Sequence, residues 1–289
     1  GVLAPVSEDF LTSKGDDFGK ATDVTSILYN GAYLLTGLTS KSSIEMTKNQ
    51  NYWDKQNVFI DDIKLSYFDG QDADSLGRGF DEGNYPAAPL FKNSANYERL
   101  KEKYKDNIIY SQQQGTTFYI STNIDRVAYN HTAKTSDAEK TSTKKALLNK
   151  DFRQSLAFAT DRKAGLSQVF GDEVAPRKLR TSLTPPTFVQ VGEQSFGQVA
   201  KAELDKLDGV WKDVSLDDAQ DSLHNVDKAK AKLEAAKKTL QADGAQFPIH
   251  LDIPVSSTRP QFVRQAQSYK QSIEEALGSD NVVVDIQQV

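Results

Sequence analysis

The stretch PIHLDIPVSSTRPQFVRQAQSYKQSIEEALGSDNVVVDIQQ, from Pro248 to Gln288, decides the fold class. Pro248–Val255 is dominated by aliphatic and β-branched residues and reads as a strand. From Gln261 to Leu277 the residues Phe262, Ala266, Tyr269, Ile273 and Leu277 recur every three or four positions, one stripe of a helix. Asn281–Gln288 then returns as a Val-rich strand. A helix between two strands cannot be a hairpin, so the strands are expected to lie parallel with a right-handed crossover. This end of the chain is therefore an α/β lobe.

Working outward, Val226–Ala242 is a second helix. Asn225 stands at its cap, Ala229, Leu233, Ala236 and Leu240 form its buried stripe, and Gly244 stops it. Asp151–Phe170 reads as a helix with Phe152, Leu156, Ala159 and Leu166 near one face. Pro185-Pro186 ends that region in extended backbone, and residues 187–224 read as a long irregular excursion. The polar run Thr132–Lys145, with Lys134, Asp137, Glu139, Lys140, Lys144 and Lys145 among Ser and Thr, reads as a solvated insertion.

The first half is richer in strands. Tyr29–Leu35 is a turn running into an apolar strand, Ser43–Lys48 and Ile60–Phe68 alternate, and Asn49–Asp54 turns. Strands are also expected at Ile108–Gln112 and Thr116–Thr122, with a short helix at Tyr97–Tyr104 and loop over residues 1–20. On a strand, Phe118 and Tyr119 point to opposite faces, so one of them leaves a one-sided core and faces water, another lobe or a ligand.

Composition narrows the function classes. The 289 residues carry 38% hydrophobic and 26% charged side chains, a globular mix long enough for a core without metal or disulfide support. Thirty-five basic against 40 acidic residues give a net charge of −5, which opposes binding a nucleic-acid backbone. The absence of cysteine removes thiol nucleophiles, disulfides and zinc–cysteine sites. No apolar run of about 18 residues suggests a membrane span. The opening residues carry neither an initiator Met nor a signal pattern, and the chain reads as an excised piece.

No catalytic or metal motif emerges. His131, His224 and His250 lie far apart without ligand spacing. Neither a nucleophile elbow nor a phosphate loop is present. A calcium loop beginning at Asp72 has its Gly at Gly77, but Leu76 and Gly83 occupy ligand positions. We expect no metal, no cofactor and no catalytic residue. A secreted hydrolase using two of the abundant carboxylates stays open as an alternative, as does a surface signalling or adhesion module.

Four segments in order carry a resemblance. They are Asn30-Gly31-Ala32-Tyr33-Leu34-Leu35, then Lys48–Asp54 with Tyr52-Trp53, then Asn149–Arg162 (NKDFRQSLAFATDR), then Thr184-Pro185-Pro186 ahead of the helix closed by Gly244. This order resembles the peptide/nickel-type solute-binding proteins of ABC importers, and Lys140–Arg162 is similar to streptococcal oligopeptide-binding lipoproteins of the Ami/Ali type. The resemblance implies a fold of periplasmic-binding-protein-like type II (cluster C) α/β lobes, incomplete here at both ends. Part of the first, strand-rich lobe would span 1–118 and part of the second α/β lobe 119–289.

It further implies a non-catalytic receptor that holds an extended oligopeptide between its lobes by main-chain hydrogen bonds and delivers it to permease subunits. The parent would be a monomer, lipid-anchored at the extracellular face of a bacterial membrane. Matching Asn123 to the family's hinge-proximal asparagine places Phe118 and Tyr119, with Thr117 behind them, beside the ligand. Arg153, Asp161 and Arg162 match the family helix as structural residues. The acidic group that grips the peptide's amino terminus matches no position of this chain.

Overall fold

The computed structural model describes residues 5–20, 22–92, 94–110 and 115–289. They fall into two compact units, 1–73 and 74–289.

In the first unit, helix α1 (Glu8–Lys14) precedes an antiparallel meander of β1 (Tyr33–Thr39), β2 (Ser43–Lys48) and β3 (Asp62–Ser66). The alternation in β2 sets one face: Ile44 lies between Leu38 and Leu65, and Met46 between Leu35 and Ile63. A bulge between Leu35 and Gly37 keeps Leu35 and Leu38 on that face, which an unbroken period of two would separate. The turn after β2 is locked by buried Asn49, whose amide donates to Gly31 O at 2.9 Å while its oxygen accepts from Asn51 N at 3.0 Å. Helix α1 occupies Glu8–Lys14 within the loop expected over residues 1–20, of which 1–4 lie outside the described residues. Ser7 caps it by accepting from Phe10 N, Glu8 and Asp9 occupy its first turn, and Gly15 follows its last residue at φ 50°.

The second unit begins with α2 (Ala73–Asp81) and α3 (Tyr97–Lys103), pinned by Asp81, which accepts from Arg99, Lys103 and Tyr104. Its main core draws on α4 (Asp137–Leu148) and α5 (Lys150–Ala159), after which the chain runs through α6 (Arg162–Phe170) and α7 (Ala175–Lys178). The hairpin β4–β5 (Gln190–Val191, Gln194–Ser195) and α8 (Phe196–Leu207) follow, and then α9 (Val226–Ala242), β6 (Ile249–Val255), α10 (Pro260–Leu277) and β7 (Val282–Gln288). As the hydrophobic pattern requires, β6 and β7 are parallel, joined through α10. Ala229, Leu233, Ala236 and Leu240 of α9 are buried against α5, where Phe158 packs on Trp211 at 5.5 Å between ring centres. Burying each Leu contributes about 1.5–3 kcal/mol.

Several expectations are corrected. Thr132–Lys145 is no solvated insertion: α4 starts inside it through a Ser136/Glu139 capping box, and Lys134 is buried. The expected helix over 151–170 is two helices, because Asp161 turns its carboxylate back onto Ala164 N at 2.8 Å and starts α6 afresh. The excursion 187–224 holds an ordered hairpin turning through Gly192 at φ 64° and the capped helix α8. Thr116–Thr122 is not a strand, for no neighbour among the described residues offers it a ladder. Ile108–Tyr110 is not strand either, and the rest of that expected strand lies outside the described residues.

Register also sets Asp252 directly beside Asp285 on the parallel pair, an unfavourable like-charge match. Each finds its own counter-group. Asp285 meets His250 Nδ1 at 2.9 Å, and Asp252 turns to residues 126–134.

Candidate functional site

The segment Thr117–Ile124 borders a cavity of about 720 Å³, whose other linings include Leu156 and Leu166 of α5 and α6, Tyr269 and Ile273 of α10, and Leu251 and Ile253 of β6. The volume lies in the range of small-molecule pockets, and the exposed lining surface is chiefly apolar although charged residues, among them Arg126, Lys134, Arg153, Arg162, Arg180 and Asp252, also line it.

The three residues singled out from sequence all sit on this segment. Phe118 is 92% exposed and Tyr119 69% exposed, so neither is committed to the core. Thr117 is fastened instead: its hydroxyl donates to Leu183 O at 2.7 Å and accepts from Arg180 Nη1 at 2.9 Å. Asn123, near the end of this segment, accepts from Asp125 N at 3.1 Å and so closes a local turn.

At the far end of the segment Asp252 acts as a hub. Its carboxylate accepts from Arg126 at 2.6 Å, Thr132 at 2.7 Å, Ala133 N at 3.0 Å, Lys134 at 2.7 Å and Gln287 at 3.2 Å. Burial pushes its carboxyl up, but the hydrogen bonds from Lys134, Ala133, Thr132 and Arg126 outweigh it and hold the group well below the usual range. Burial pushes the Arg162 guanidinium down, opposed by Asp221, and pushes the Tyr269 phenol up. Nothing in the neighbourhood of Asp252 or Arg180 announces these roles, since their partners lie far away in sequence. The only local signal is a lone carboxylate inside an aliphatic strand.

Arg153 and Arg162 make intrachain bonds: Arg153 to Leu147 O at 2.6 Å, and Arg162 to Ala157 O at 3.0 Å and Thr160 O at 3.2 Å. Asp161, Asp221 and His224 converge to within 4.8 Å among the described residues. Asp161 there caps α6, and Asp221 faces the Arg162 guanidinium at 3.8 Å, so the cluster already has its cation.

The bacterial extracellular solute-binding proteins, family 5 middle, match residues 1–289. This chain belongs to that family. It is 55% identical over 289 residues to the oligopeptide-binding protein SarA of Streptococcus gordonii, and 54% identical to the oligopeptide-binding protein AliA of Streptococcus pneumoniae. Both alignments take in 100% of this chain and 44% of the relative, so the chain spans less than half the length of these curated relatives. Among solved structures, Listeria monocytogenes OppA bound to peptide superposes with a TM-score of 0.58 at 21% identity, and the pheromone receptor PrgZ with 0.58 at 19%. Each covers 99% of this chain and 47% of the other. The fold of these receptors is thereby the fold of this chain, in keeping with the α/β lobes expected from the resemblance. Among the described residues no helix is long and apolar enough to cross a membrane.

Proposed function

We propose that this chain is the middle part of an extracellular oligopeptide receptor serving an ABC importer, and that it holds peptide without reacting with it. The observation that carries the reading is the Thr117–Asn123 segment, which lacks a ladder partner among the described residues, borders an apolar cavity and exposes Phe118 and Tyr119. An extended peptide laid beside it would gain main-chain hydrogen bonds as an added strand does, with its side chains directed toward the cavity and water. Phe118 and Tyr119 are the ligand-adjacent side chains of this proposal, with Thr117 supporting them. In this proposal the first lobe runs to 118 and the second from 119, a boundary of the full receptor distinct from the 73/74 division between compact units of this chain. A monomeric parent held to the membrane by a lipid anchor and docking on permease subunits completes the proposal.

Isothermal titration calorimetry of the chain with a degenerate library of peptides, then with single peptides, tests it. Saturable binding with a negative heat-capacity change supports the reading. Cleaved peptide in the cell by mass spectrometry, or no heat with any peptide when a longer receptor responds, counts against this segment as the holding surface.

A further inference from the structure

The backbone of residues 116–122 enters no sheet among the described residues, so something else must set where Phe118 and Tyr119 stand. The Arg180 guanidinium is almost wholly buried, with 6% of its side chain exposed. It makes a two-pronged contact with Asp218, Nε to Oδ1 at 2.8 Å and Nη2 to Oδ2 at 3.2 Å. That fork fixes the plane of the guanidinium and turns Nη1 toward the segment, where it donates to Thr117 Oγ1 at 2.9 Å and Thr116 O at 3.5 Å. With Thr117 also donating to Leu183 O at 2.7 Å, its hydroxyl has both an acceptor and a donor role filled.

From this geometry we propose that Arg180, held by Asp218, is a positioning residue for the ligand-adjacent segment and acts through Thr117 rather than on the ligand. The idea rests on the peptide-holding reading above for its functional consequence, but its structural half stands apart. Lysine cannot replace this arginine, because an ammonium offers a point charge and no planar fork to bind a carboxylate in two places while reaching a hydroxyl. Thr117→Val removes the hydroxyl without touching the ion pair, so it separates loss of the clamp from loss of a buried charge partner.

The chain has no cysteine, which makes a nitroxide label at Ser121→Cys, an exposed position on the segment, unique. A label at exposed Lys238→Cys on α9 serves as the control. In Arg180→Lys and in Thr117→Val the Ser121 label is expected to tumble faster while the α9 label keeps its spectrum. Peptide affinity is expected to fall about tenfold in each, the loss of one charge-assisted bond. The double variant should be no worse than the weaker single one, because both break the same contact. An unchanged Ser121 spectrum in both variants overturns the clamp. Additive losses of affinity overturn its action through Thr117. If the unmodified chain takes no peptide, the holding function fails while the label spectra still decide the clamp.

Discussion

Lys134 Nζ lies 2.7 Å from Asp252 Oδ2, with 1% and 2% of the two side chains exposed, although 118 residues separate them. Two charges so fully withdrawn from water are sustained only by each other and by neighbouring donors. Removing one leaves the other stranded. Lys134→Met is expected to cost about 3–5 kcal/mol in urea unfolding. Arg126→Met, from a partner that keeps 24% of its side chain in solvent, is expected to cost less. Equal losses would show that burial does not set the strength of this hub.

The same carboxylate gives a pH dependence. In the unfolded chain Asp252 titrates near ~3.9, while in the fold it is held well below that. The fold therefore binds fewer protons than the unfolded chain in this window. The stability gained is fully present above the unfolded value and is lost as pH falls through the folded one. Asp252→Asn should lower stability at neutral pH, and its deficit against the parent should shrink as urea titrations are repeated toward about pH 3. A deficit that stays constant with pH would contradict this account.

Gly165 gives a steric prediction. It lies inside α6, where an added Cβ would come 2.1 Å from Tyr269 Cε1 on α10. Helix propensity alone favours alanine over glycine by about 1 kcal/mol. The overlap should reverse that, making Gly165→Ala destabilising by about 1–3 kcal/mol. Pairing it with Tyr269→Leu should recover part of the loss in a thermal melt.

Asn225 is a cap whose effect is isolated. Its side chain accepts from Lys228 N at 2.9 Å, and its backbone N–H donates to Phe158 O at 2.9 Å. Only the first bond involves the side chain. Asn225→Ala should therefore cost about 1 kcal/mol, and Asn225→Ser much less, by urea midpoint.

Phe118 and Tyr119 should show the opposite balance. At 92% and 69% exposure, truncation to alanine should leave the melting temperature nearly unchanged. Peptide affinity measured calorimetrically should fall about tenfold for at least one of them. Loss of stability without loss of affinity would assign them to packing.

What could be read from the amino-acid order was whatever depends on neighbours within a turn or two. The stripe Phe262–Leu277 between two aliphatic strands gave the parallel β6–β7 pair, and Asn225 with Gly244 gave α9 at both ends. Four ordered landmarks indicated the family. The tertiary structure decided the rest. Lys134 looked solvated because its partner is a carboxylate on a distant strand, and burial is a property of the pair. Thr116–Thr122 looked like a strand because alternation records side-chain preference, whereas a strand exists only where another backbone answers its hydrogen bonds. Arg180 carries no signal in the sequence for the same reason: a fork has no role until the fold brings Asp218 and Thr117 to its two sides.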